Sequence, residues 1–292
     1  MATPSVISGL SGLVDDYDVF IIDLWGVMHD GVTAFPEAVD TLTALKAAGK
    51  TTIILSNAPR RAESVAARNG ELGIDPALCD LVMSSGEEAW RHLKERPTAW
   101  YRALGRRCFH LGPDRDFSIR EGLDYDFVAD LAIADFVLLT GARDSDDTLE
   151  TYADILAAAY ARKLPMVCAN PDLAVIRGGR REICAGTLAA GYEALGGEVI
   201  YHGKPDPQIY RRCLDLVGKA GADRVLAIGD SLRTDLTGAA RSDMDSVFVV
   251  DGIHGAETGL QPDELLQPAH LAELFEGFAH PPRAAMARLR WS

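Results

Sequence analysis

The sequence predicts an α/β protein, a Rossmann-like core with a parallel sheet and a second α/β unit inserted into it. Three observations carry this. Strand-like apolar runs alternate with helical patterns almost throughout, as a parallel sheet flanked by helices requires. The run Val19-Phe20-Ile21-Ile22 stops in Asp23-Leu24-Trp25-Gly26-Val27, a carboxylate and a glycine turn at a strand end. Open α/β sheets build their sites at such ends. Three later strands also end in polar chemistry, and a block between the second and third of these four does not.

Along the chain, residues 36–50 read as a helix, with Pro36 in its first turn, Ala38, Leu42 and Leu45 as an apolar stripe and Gly49 near its end. Thr51 opens a strand that ends in Ser56-Asn57. A helix over 60–72, a strand at 80–83 and a helix over 87–94 follow. The middle block has strands at 108–111, 136–139 and 166–169 and a long helix over 146–162. At Glu198-Val199-Ile200-Tyr201 the chain is expected to return to the first sheet and to end that strand in Gly203-Lys204-Pro205. Asp206 then caps a helix that starts with Pro207. Val225-Leu226-Ala227-Ile228 runs into Gly229-Asp230-Ser231, and Ser246 to Val250 reads as the last core strand. The basic tail from Arg283 to Arg290 reads as a solvated helix. At 292 residues, two domains are expected: a core from 1–89 and 198–292, and an insert over 90–197.

The formal net charge of -14 argues against nucleic acid or an anionic membrane as partner, since both need a basic face. Five scattered cysteines without Cys-x-x-Cys spacing argue against a disulfide framework or zinc site and read as buried reduced thiols. No apolar run approaches the ~18 residues that span a bilayer, and the N-terminus lacks a leader pattern. The expectation is a cytoplasmic protein.

Asp23 is the candidate nucleophile. A carboxylate attacking phosphorus splits hydrolysis into two steps through an aspartyl-phosphate. Asp230 and Asp235, five residues apart past one strand end, suit the oxygen-only octahedron of Mg²⁺, with Asp23 and the Trp25 carbonyl completing the protein ligands. Asp235 has a second reading, as a helix-capping acid. Lys204, fixed between glycine and proline, brings a cation to balance Asp23 and an anionic substrate. Ser56 and Asn57 offer a hydroxyl and backbone N–H groups to phosphoryl oxygens. His29, on the loop after the nucleophile, reads as a packing or surface histidine in preference to a general acid. Asn170-Pro171-Asp172 reads locally as an Asx turn.

The order Asp-x-x-Gly-Val, Ser-Asn, Asn-Pro-Asp, Gly-Lys-Pro, Gly-Asp-x-x-x-Thr-Asp resembles the NagD-like class, subfamily IIA, of haloacid dehalogenase-like (HAD) hydrolases, over residues 17–255. The resemblance implies a large C2-type α/β cap inserted where this chain carries its middle block. It also implies Mg²⁺, a small phosphorylated metabolite as substrate, and pairing of caps in a homodimer. Carried over, Asp23 is the nucleophile, Ser56 and Asn57 bind phosphoryl, and Lys204 balances charge. Asp23, the Trp25 carbonyl and Asp230 hold the metal, with Asp235 beyond them or orienting the lysine. Asn170, Asp172 and the loop over 141–144 belong to the cap that shapes substrate choice. Trp25 departs from the pattern, which has an aspartate there to protonate the leaving oxygen. An indole cannot, and such help is worth about 10²–10⁴ in rate. Two alternatives therefore stand beside the phosphatase: cleavage of a bond that needs no acid (carbon–halogen or acyl phosphate), and a catalytically degraded protein that binds a phosphometabolite.

Overall fold

Val19–Ile22 is buried along its whole length, which suits a strand covered by helices on both faces. The computed structural model, which describes residues 4–259 and 265–292, supplies that setting. Residues 1–3, read above for a leader, lie outside the described part. The strands are β1 (Ser5–Val6), β2 (Val19–Ile22), β3 (Thr51–Ser56), β4 (Leu81–Ser84), β5 (Arg107–Leu111), β6 (Asp126–Val128) and β7 (Phe136–Leu139). Then come β8 (Met166–Cys168), β9 (Ala174–Arg177), β10 (Arg180–Ile183), β11 (Val199–Tyr201), β12 (Val225–Gly229), β13 (Asp245–Val249) and β14 (Ala284–Met286).

One parallel sheet has the order β1-β14-β13-β12-β2-β3-β4, and a second has β11-β8-β7-β5-β6. β9 and β10 make an antiparallel hairpin. Period-two alternation sorts the first sheet's side chains. Phe20, Ile22 and Ile54 meet Leu42, Leu45 and Val65 of helices Pro36–Ala47 and Ala62–Glu71. Val19, Ile21 and Ile53 meet Ile209, Tyr210 and Cys213 of helix Pro207–Leu216, which Asp206 caps by accepting the Gln208 N–H at 2.9 Å. The second sheet is covered likewise, by Ala153–Ala161 and Ala185–Ala194 on one face and Ser85–Glu95 on the other.

Strand order reverses direction between β2 and β12 in the first sheet, and between β5 and β7 in the second. Those are the switch points at which such sheets leave a crevice. Asp23 and Asp230 stand at the first of them.

Three expectations are corrected. Val199–Tyr201 does not return to the first sheet but pairs with β8 at the edge of the second. With helix Ser85–Glu95 also packed on that sheet, we propose limits for the insert near Ser85 and Tyr201, wider than 90–197. The helix over 146–162 is shortened to Ala153–Ala161, because Asp147 takes the Asp144 N–H and the Tyr152 hydroxyl and holds a turn there. The basic tail is not a solvated helix. Ala284–Met286 is buried and pairs with β13 and β1, while Arg283 and Arg288 reach out to Asp16 and Asp251.

Candidate active site

The Asp23 N–H donates to Ile228 O at 2.9 Å, tying the end of β2 to β12 and fixing where the carboxyl leaves the sheet. Gly26, at φ +80°, turns the chain away, and a Cβ there would lie 2.1 Å from Asp230 Oδ2. A Cβ on Gly252 would lie 2.0 Å from the same oxygen. Asp230 thus sits in a cradle that only glycines leave open, and the Ile253 N–H donates to it at 2.7 Å. Asp235 lies on a single π-helical turn, Leu232–Leu236, an irregularity common at sites. Oxygens of Asp23, Asp230 and Asp235 all lie within 4.8 Å of one another, and all three residues are buried.

Lys204 is 3 % exposed and donates to Asp23 Oδ1 at 2.5 Å and Asp235 Oδ1 at 2.7 Å. Its loop is clamped by Asn57, whose Oδ1 accepts the Lys204 N–H at 2.8 Å and whose Nδ2 donates to Lys204 O and to Asp172 Oδ1. The Asn57 side chain is therefore a brace, which leaves its backbone N–H for an anion. Ser56 Oγ accepts the Ala58 N–H at 3.2 Å, so its O–H is available to donate. Asn170 Oδ1 accepts the Asp172 N–H at 2.9 Å, closing the Asx turn.

One ammonium among three buried carboxylates leaves a deficit of positive charge. Burial pushes the Asp23 carboxyl up to about 7 against the pull of Lys204, with Asp235 adding to the rise. Burial, then Asp23 and Asp235, hold Asp230 well above the usual carboxylate range. Burial would lower Lys204, but the Asp23 and Asp235 charges outweigh it and keep the ammonium protonated. A hard divalent cation on these oxygens supplies the missing charge, so the donor set fits Mg²⁺.

All nine residues singled out from the sequence line one cavity of about 280 Å³ between the two sheets. Gly141, Ala142 and Asp144 of the 141–144 loop line it too. The second sheet's switch point contributes Asp116 and Thr140. Burial pushes the Asp116 carboxyl up to about 6 against the pull of Arg60. Sequence reasoning missed Asp116, Arg60 and the β9–β10 hairpin that roofs the cavity. The signal for the hairpin was present: Arg177-Gly178-Gly179-Arg180 is a two-glycine turn between alternating runs.

Trp25 carries no acid and instead joins core to hairpin. Its indole N–H donates to Ile176 O at 2.8 Å, and the Arg177 guanidinium lies 4.7 Å from the ring centroid. His29 packs edge-on against it at 5.2 Å and accepts the Gly31 N–H on Nδ1. Burial lowers the His29 pKa to about 4, which favours the neutral imidazole near pH 7.

Fold and site together define a capped α/β hydrolase built around a strand-end carboxylate. Residues 20–126 match the model of the haloacid dehalogenase-like hydrolase family, and residues 201–276 match that of HAD-hydrolase-like proteins. A haloacid dehalogenase-like hydrolase from Brucella suis 1330 superposes with a TM-score of 0.81 at 34% identity, over 97% of this chain and 100% of that one. Ribonucleotide monophosphatase NagD of Escherichia coli (strain K12) is 27% identical over 80% of this chain and 87% of its own length. Chronophin of Bos taurus is 29% identical over 81% and 82%. The chain belongs to the haloacid dehalogenase-like hydrolases, in their NagD-like class.

Proposed function

We propose that this chain is a Mg²⁺-dependent phosphatase of small phosphorylated metabolites, working through an aspartyl-phosphate on Asp23. The observation that carries the reading is the buried contact of Asp23 with Lys204, at 2.5 Å, beside Asp230 and Asp235 at the switch point of the sheet. Phosphatase names among the relatives support it.

Asp23 attacks phosphorus, the ester P–O bond breaks, and the leaving oxygen departs with the bonding pair. No acid stands at position 25, so that oxygen takes its proton from water. Water then attacks phosphorus of the aspartyl-phosphate and frees phosphate and Asp23. Lys204 holds charge against the anionic phosphoryl group, while Ser56 Oγ and the Asn57 N–H donate to its oxygens. Asp23, Asp230 and the Trp25 carbonyl would hold Mg²⁺, with Asp235 orienting Lys204. Bound there, the ion neutralises phosphoryl charge as a Lewis acid. We place the protein in the cytoplasm. The free thiols, four of them buried, support that setting. Among the described residues no helix is long and apolar enough to cross a membrane. The test is p-nitrophenyl phosphate turnover with Mg²⁺, expected in the wild type and absent in excess EDTA. Full activity in EDTA overturns the mechanism.

A further inference from the structure

Behind Trp25 lies a second cavity, of about 220 Å³, that shares Trp25, Ser56, Ala58, Arg60, Arg115 and Arg177 with the catalytic one. Among the described residues its wall holds four arginines, adding Arg68 to those three, and no carboxylate. In a chain of net charge -14 this is a local reversal of sign, and converging guanidiniums repel unless an anion lies between them.

Three of the four have a carboxylate partner and Arg115 has none among the described residues, which leaves the set an excess of positive charge. Arg177 pairs with Glu182 at 3.0 Å, and Arg68 with the exposed Glu71 at 2.8 Å. Arg60 Nε is shielded from solvent yet has no hydrogen-bond partner, its nearest carboxylate being Asp116 at 3.6 Å. An unmet buried donor carries a desolvation penalty. Arg115 has no ion-pair partner within 4.0 Å among the described residues. Burial lowers the Arg60 pKa against the pull of Asp116, and Arg115, Arg177 and Arg68 add to the lowering, so these charges do face one another.

Trp25 completes the arrangement. An aspartate here would bring a carboxylate to the border of this cavity, beside Arg177. The indole keeps the wall free of negative charge and lays its ring under that guanidinium.

We propose that this arginine cavity is a subsite for a second anionic group of the substrate, so that the enzyme takes phosphate esters bearing a carboxylate or a second phosphate. The ester phosphoryl lies at Asp23 and the second anion among Arg60, Arg68, Arg115 and Arg177. Ser56, which lines both cavities, marks the short distance a linker must cross. The proposal rests on the phosphatase reading for the role of the first phosphoryl, but its test is binding and does not need turnover.

Three phosphonates of similar length serve as probes in calorimetry with Mg²⁺ present: 3-hydroxypropylphosphonate, 3-phosphonopropionate and 1,3-propylenediphosphonate. One or both of the doubly anionic probes should bind at least about tenfold tighter than the hydroxyl probe, as charge-assisted contacts to arginine imply. The tighter of the two identifies the second anion. Arg115→Gln and Arg68→Gln, both at exposed side chains and checked for an unchanged melting temperature, should each reduce that preference. Equal or absent binding of all three probes overturns the proposal, as does a preference that survives in both variants. Sulfate binding that depends on the arginines, without any gain for the linked probes, also overturns it and makes the cavity a site for a separate anion. Failure of the enzyme to turn over p-nitrophenyl phosphate would sink the phosphatase reading and leave this result standing.

Discussion

Both close contacts of the Lys204 ammonium are to acids, Asp23 at 2.5 Å and Asp235 at 2.7 Å, and water scarcely reaches it. Removing one partner of a buried charged pair costs about 3–5 kcal/mol, because the other is left uncompensated. Lys204→Met is therefore expected to melt well below the wild type in EDTA, with the gap narrowing in Mg²⁺; scanning calorimetry in the two buffers reads this directly. Asp23→Asn keeps the size of the side chain but removes the proposed nucleophile, so p-nitrophenyl phosphate turnover should fall to background with the fold intact. A variant retaining a substantial fraction of the rate would show Asp23 to be structural. On the proposed mechanism, Trp25 leaves the first step dependent on leaving-group quality. Rates should fall steeply as leaving-group pKa rises, and Trp25→Asp should narrow the aryl-to-alkyl ratio, although Arg177 will compete for the new carboxylate. A flat leaving-group series in the wild type would reveal an acid elsewhere. Three buried histidines set a further expectation. Burial lowers His29 to about 4, and His110 and His202 to about 3, each below the ordinary 6.5. The unfolded chain then binds more protons, so their contribution favours the fold above pH 6.5 and is lost as pH falls from there towards 3. His202→Gln should flatten the acid limb of a melting-temperature profile, and an unaltered limb would remove His202 from the account.

The β9–β10 hairpin meets the core through its own backbone. Trp25 donates to Ile176 O, and the Gly178 N–H donates to Asp30 O at 3.4 Å. With the Arg177–Trp25 stack as the further contact, a hairpin held by so few bonds should open more readily when one is lost. Trp25→Phe keeps a ring but no donor, and amide exchange over residues 174–183 should quicken, measured by mass spectrometry. Exchange equal to that of the wild type would mean that the Ile176 bond does not hold the hairpin. At the other end of the first sheet, β14 covers β13 with buried Ala284, Ala285 and Met286. Deleting residues 284–292 exposes β13 and should abolish cooperative unfolding, whereas loss of a solvated tail would leave it unchanged.

On the scale of the molecule, two sheets of the same parallel kind meet switch point to switch point across one cavity. The first sheet brings Asp23, Asp230 and Asp235, the second brings Asp116, Thr140 and Arg115, and Lys204 lies on the connection from β11 of the second sheet to helix Pro207–Leu216 on the first. The contacts across the gap, such as Asn57 with Asp172 at 2.8 Å, close it over Asp23. Substrate must enter a gap so closed, so the second sheet is expected to move. Beryllium fluoride with Mg²⁺ should slow amide exchange over residues 170–183, and exchange unaffected by the analogue would argue against closure.

Much of this was legible in the sequence because strand ends are local facts. An apolar run ending in Asp23, Ser56, Lys204 or Asp230 announces a sheet edge and a charge there, whatever the rest of the chain does. The alternation of Phe20 and Ile22 against Val19 and Ile21, by contrast, was assigned to two helix layers only by the packing. Pairing is a different kind of fact. Val199–Tyr201 is apolar enough for either sheet, and only competition between two edges assigned it to β8. Ala284–Met286 sits among arginines and reads as solvated until the open edge of β13 is known. The use of Trp25 was equally hidden, since its partner Ile176 lies 151 residues away. The sequence by itself determined which groups stand at the strand ends, through burial periodicity. Tertiary structure alone decided which distant charges share a cavity, because Arg60, Arg68, Arg115 and Arg177 are brought together only when the two sheets close on each other.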